Sequence, residues 1–140
     1  MGLSERRAIE DFKANNLPGL TSEIEKLAGA PVPIEVRWEQ IAYEAKEFKK
    51  GSTHYNDVWT KLFFTPVIDA LTRIGRDPMG KAALAGGIKK IIIENVSRSY
   101  SPTSAIKFEA GVITIDHDYS NVADVKGRTD HLVKLIEAAL

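Results

Sequence analysis

Apolar and polar residues alternate most clearly between Ala105 and Asp118. If Ala110-Gly111 is a two-residue turn, Glu109 faces Val112, Phe108 faces Ile113 and Ile106 faces Ile115. The large apolar side chains then share one face, and Lys107, Glu109, Thr114 and Asp116 share the other. The spacing therefore predicts a hairpin. Upstream, Ile88 to Val96 reads as a strand with apolar residues on both faces, Ile88, Ile92 and Val96 on one and Ile91 and Ile93 on the other, as expected inside a sheet. Ile34, Val36 and Trp38 alternate with Glu35, Arg37 and Glu39 and predict a further half-buried strand.

Elsewhere the period is helical. Ala8, Ile9 and Phe12 give a first helix one apolar side, with Ser4 as its expected cap. Pro18 opens a second helix, which carries Leu20, Ile24 and Leu27 and stops at Gly29. Ile41, Ala45 and Phe48 mark a third helix ending before Gly51. Ser52 or Thr53 would cap the next, which bears Val58, Trp59, Leu62, Phe63 and Phe64 and is apolar around much of its circumference. Pro66 cannot donate its amide and predicts a kink or a fresh helix through Val67, Ile68, Leu71 and Ile74. Asp77-Pro78 starts a short helix that Gly86-Gly87 terminates. Ser120 or Asn121 would cap a last one with Val125, Leu132, Ile136 and Leu140 on its buried stripe, and Gly127 within it suggests a close backbone contact.

Together these elements predict an α+β fold. Its sheet is small, of about four strands, mostly antiparallel, and includes the hairpin of the C-terminal half. Helices pack mainly on one face, and the other face, with Lys107, Glu109, Val112, Thr114 and Asp116, is partly open. With 140 residues, 44% hydrophobic and 27% charged, the chain is expected to be a single globular domain over residues 1–140. No repeat or linker divides it.

Composition narrows the chemistry. Nineteen basic against nineteen acidic side chains leave a formal net charge of +0, hence no long-range field to draw nucleic acid or an anionic membrane. The absence of cysteine excludes disulfides, thiolate metal sites and a cysteine nucleophile. No apolar run reaches spanning length, and Ser4, Glu5, Arg6 and Arg7 are unlike the start of a secretory signal, so no membrane and a cytoplasmic location are expected.

Candidate catalytic groups are sparse. His117 follows Ile113 and Ile115 in the alternation and points to the core side of a strand end, away from Asp116 and Asp118. His54 and His131 read as surface residues, and no histidine pair has metal-ligand spacing. Asp116 and Asp118, two apart, would make at most a weak divalent platform. Gly80, Gly86 and Gly87 have the wrong spacing for a phosphate loop or a dinucleotide fingerprint, and Gly86-Gly87 precede a strand rather than a helix. The segment Ser97 to Ser104 holds Arg98 and Tyr100 among several serines and could offer donors to an anion. Trp38, Tyr43, Tyr55 and Tyr100 fall at element ends and are the candidates for an exposed aromatic patch.

The expectation is a non-enzymatic protein-binding or self-associating module, with a protein partner or a homodimer and with no metal or cofactor. The competing expectation is a small enzyme or small-molecule binder. Its pocket would lie at the sheet end near His117, with Arg98, Tyr100 and Asp116 as the other polar groups.

Overall fold

The computed structural model describes residues 1–43 and 53–140. Helices α1 (Leu3–Asn15) and α2 (Leu17–Ala28) form the expected pair, with Pro18 in the first turn of α2 and Gly29 closing it at φ 72°. Ser4 lies inside α1 rather than capping it. Strand β1 (Ile34–Val36) leads into the short helix α3 (Trp38–Ile41), so Trp38 begins a helix instead of ending a strand. Ala42 leaves the helical region at φ -99° and ψ 78°, which ends α3 there. The rest of the helix predicted through Ala45 and Phe48 lies outside the described residues.

Helix α4 (Thr53–Trp59) continues through one π turn (Thr60–Phe64) into α5 (Thr65–Ile74). That turn is how the chain accommodates Pro66. The Thr65 amide reaches back to the Thr60 carbonyl, and Pro66 has no amide to offer, so the Lys61 carbonyl is left for a donor outside the helix. Helix α6 (Pro78–Gly87) is capped by Asp77, whose carboxylate accepts from the Gly80 amide at 2.7 Å. Strand β2 (Lys90–Glu94), helix α7 (Pro102–Ala105), strands β3 (Ile106–Glu109) and β4 (Val112–Asp116) and helix α8 (Val125–Ala139) complete the order. The cap of α8 is Asp124, not Ser120 or Asn121. Asn121 sits in the left-handed region at φ 62°, and the carboxylate that accepts from the Gly127 amide, at 3.0 Å, is that of Asp124. The Asp124 carboxylate fills the space beside Gly127, where a Cβ would lie 2.4 Å from one of its oxygens.

The hairpin has the predicted register, Ile106 against Ile115, Phe108 against Ile113 and Glu109 against Val112. Ala110 at φ 51° and Gly111 at φ 81° form its turn, as a two-residue connection with matching twist requires. The sheet as a whole corrects the antiparallel expectation. Its strand order is β1-β2-β4-β3, with β1 parallel to β2 and β2 parallel to β4; only β3 and β4 run antiparallel. The hairpin enters the sheet with its second strand inward. Physically, β4 shows uncharged Val112 and Thr114 on its outward side where β3 shows Lys107 and Glu109, so β3 is the strand whose charges suit an edge. The stretch between β1 and β2 is long and its described residues are mostly helical, which is what a parallel crossover needs.

On the inner face Ile91, Ile93, Ile113 and Ile115 are fully buried, each contributing roughly 1.5–3 kcal/mol of transfer free energy. Behind them the rings of Phe12, Trp38 and Trp59 meet edge to face at 5.4 to 6.0 Å. Trp38 and Tyr55 therefore belong to the core and its margin, not to an exposed aromatic patch.

Candidate functional site at the carboxyl end and open face of the sheet

Because β1, β2 and β4 run the same way, their carboxyl ends open on one side of the sheet, the side on which parallel sheets usually carry their ligands. Asn95 leaves β2 there and His117-Asp118 leaves β4. The Tyr43 hydroxyl, from the segment after α3, donates to the Asp118 carboxylate. The Asn95 carboxamide donates both to Asp118 at 3.1 Å and to the Tyr43 oxygen at 3.1 Å, and the Tyr119 amide adds a further bond at 2.8 Å. Arg98 lies over the Tyr43 ring at 4.7 Å with its guanidinium 3.8 Å from Asp118. Tyr43 stacks on Tyr119 at 4.5 Å, and the Tyr119 hydroxyl accepts from the Trp59 indole at 3.2 Å.

Charge and burial act in opposite senses here. Partial burial alone would raise Asp118. The bonds from Tyr43, the Tyr119 amide and Asn95, with the Arg98 charge, win and hold its carboxyl below the usual carboxylate range. Burial, reinforced by Asp118, pushes Tyr43 up to about 12. An ionised carboxylate crowded with donors makes a strong fastening and a poor proton acceptor.

Of the four residues singled out from the sequence, only Arg98 joins this cluster. Tyr100 is 61% exposed, and its carbonyl accepts from the Asn121 side chain at 3.2 Å. Asp116 accepts from the Val96 and Ser97 amides at 2.7 and 3.2 Å, fixing the exit from β2. His117 is buried, as its place in the alternation predicts. Its Nδ1 lies 2.5 Å from the Asp118 carbonyl, and its Nε2 has no partner among the described residues. A backbone acceptor makes Nδ1 the protonated nitrogen. Burial holds His117 below its ordinary value, and the nearby Arg128 charge lowers it further, against the pull of the Asp118 carbonyl and of the Asp118 and Asp116 charges. Asp116 and Asp118 thus serve separate sets of donors, and no group of three or more metal-ligating side chains gathers among the described residues. Of His54 only the backbone is described.

Sequence reasoning missed Asn95 and Arg128, and singled out Tyr43 only for an exposed aromatic patch, not for its bond to Asp118. Asn95 follows Ile91 and Ile93 in the alternation, so a polar residue on the core side was visible as an anomaly. Arg128 interrupts the stripe of Leu132 and Ile136 and is fully buried. Its guanidinium donates to the carbonyls of Asn121 at 2.7 Å, Val122 at 2.5 Å and Lys61 at 3.3 Å, the last being the acceptor set free by the π turn. Among the described residues no carboxylate lies within ion-pair distance of it.

The outer sheet face is the second feature. Glu35 of β1, Lys90, Ile92 and Glu94 of β2, Val112, Thr114 and Asp116 of β4, and Lys107 and Glu109 of β3 share it, and none of them is buried. Lys90 and Arg37 both pair with Glu35, at 3.5 and 2.8 Å. Ile92, Val112 and Thr114 form an uncharged centre within this charged frame. Among the described residues no helix is long and apolar enough to cross a membrane. Comparison of the chain with protein-family models, with curated proteins and with solved structures finds no match.

Proposed function

We propose that the chain is a non-enzymatic protein-binding domain that presents its outer sheet face to a partner. The observation that carries the reading is that face's pattern: a partly exposed centre of Ile92, Val112 and Thr114 framed by charged side chains, of which Glu35, Arg37 and Lys90 pair with one another. A small apolar centre with a polar rim is how non-obligate interfaces are built. Supporting it from the other side, both carboxylates at the carboxyl end, Asp116 and Asp118, are taken up by backbone amides and neighbouring side chains, leaving Arg98 as the exposed charge of that cluster.

The test uses the full chain and an Ile92→Lys/Val112→Lys variant with unchanged circular dichroism and thermal midpoint. Each is used to capture proteins from an extract of the source cells. The expected result is a protein retained by the original chain and lost by the variant, which rebinds as a purified component with a Kd at least about tenfold tighter for the original. Identical capture by both, or none by either, would overturn the reading.

A further inference from the structure

The edge of the sheet at β3 has a feature separate from its face. In a two-residue hairpin the residues flanking the turn exchange both backbone bonds, here Glu109 with Val112, and the bonded pairs then alternate to Lys107 with Thr114. Phe108 consequently turns its amide and carbonyl outward, away from β4. Ile106 also faces outward, but its amide closes α7 on the Pro102 carbonyl, which leaves its carbonyl on the edge. The opposite edge is guarded differently: β1 is three residues long and is preceded by Pro31 and Pro33. Strand β3 contains neither proline nor bulge.

We infer that β3 pairs with β3 of a second copy of this chain, antiparallel, about a twofold axis through Phe108. Phe108 would exchange both backbone bonds with its symmetry mate, and the Ile106 carbonyl would meet the Ala110 amide of the other copy. Charge complementarity selects this occupant. The pairing sets Lys107 of each copy opposite Glu109 of the other, on the outer face, where both side chains are exposed. A lysine that would deter an arbitrary strand thus becomes matched in this one register. Apolar material lies beside the seam, since Phe108 and Leu135 of α8, the helix that packs on β3, are both only partly covered. Two four-stranded sheets become one continuous sheet.

The proposal is independent of the outer-face reading. Val112 faces Glu109 across the hairpin, so the control is Ile92→Lys alone: Ile92 lies on β2 with β4 between it and β3, and this single variant is expected to dimerise normally. The experiment is sedimentation equilibrium over a concentration series on the full chain and on Lys107→Glu, Glu109→Lys and the double exchange Lys107→Glu/Glu109→Lys. Each single reversal places two like-charge pairs across the seam and is expected to weaken dimerisation about tenfold or more, and the double exchange to restore it. Amide exchange supplies a second readout. The Phe108 amide should become protected as concentration rises, while the Glu109 amide, already bonded within the hairpin, should not change. A chain that stays monomeric throughout overturns the inference, as does a dimer indifferent to the charge reversals or one whose Phe108 amide exchanges as in the monomer.

Discussion

Two fastenings hold the loops at the carboxyl end of the sheet, and they are built from opposite charges in opposite surroundings. Around Asp118 a partly exposed anion gathers side-chain and amide donors from three separate stretches of chain. Around Arg128 a fully buried cation is held by backbone carbonyls, with no ion-pair partner among the described residues. The first can exchange its bonds for water at modest loss. The second cannot, because each carbonyl it serves would stay buried without a donor. Burial, more than the number of bonds, sets the difference.

The largest effect is therefore expected at Arg128. Arg128→Met keeps much of the volume but leaves the Asn121, Val122 and Lys61 carbonyls unserved, and should lower the unfolding free energy in urea by about 3 kcal/mol. A loss no greater than that of a substitution at the Asp118 cluster would undo the contrast.

Acidification sharpens it next, since Asp118 and its chain neighbour His117 titrate on the acid side whereas the Arg128 guanidinium stays charged there. His117 is held below 6.5 in the folded chain, so the unfolded chain takes up the proton first; stability present above that pH is lost as the pH falls. Asp118 is held below 3.8 and adds a second loss in the same direction at lower pH. Thermal midpoints followed downward from neutrality should fall in both windows, and His117→Gln should flatten the first. At the alkaline end Tyr43, raised to about 12, predicts the reverse, with stability lost as pH rises beyond 10.

Smaller effects belong to the rim of the Asp118 cluster. Tyr43→Phe removes the hydroxyl shared by Asp118 and Asn95 and should cost about 1 kcal/mol. Arg98→Ala should cost about 0.5 kcal/mol or less, because its side chain is 59% exposed and its ion pair is screened. If Arg98→Ala proved the more damaging of the two, the guanidinium rather than the phenol would be the centre of the cluster.

Much of this was legible in the chain. The alternation from Ile106 to Ile115 and the Ala110-Gly111 turn dictated the hairpin and its register, and the place of His117 in that alternation dictated its burial. Pro18, Gly29, Asp77-Pro78 and Gly86-Gly87 marked helix ends correctly, since caps and breakers act over a few neighbouring residues. The π turn was less legible: Pro66 announced a disturbance, but whether the helix would kink, restart or widen depended on Arg128, far along the chain, accepting the freed carbonyl's demand for a donor. Arg98 was the one candidate that reached the cluster, whereas Tyr43, Asn95 and Asp118 come from segments that share no local pattern.

Sequence by itself determined which side chains face inward along each strand and helix, because neighbours two, three or four residues apart meet whatever the rest of the chain does. The tertiary structure alone decided that β4 rather than β3 lies against β2, and with it the parallel direction and the convergence at the carboxyl end. That choice is a competition between whole strands for the sheet interior, won by the one with fewer outward charges, and its outcome depends on contacts between residues far apart in the chain.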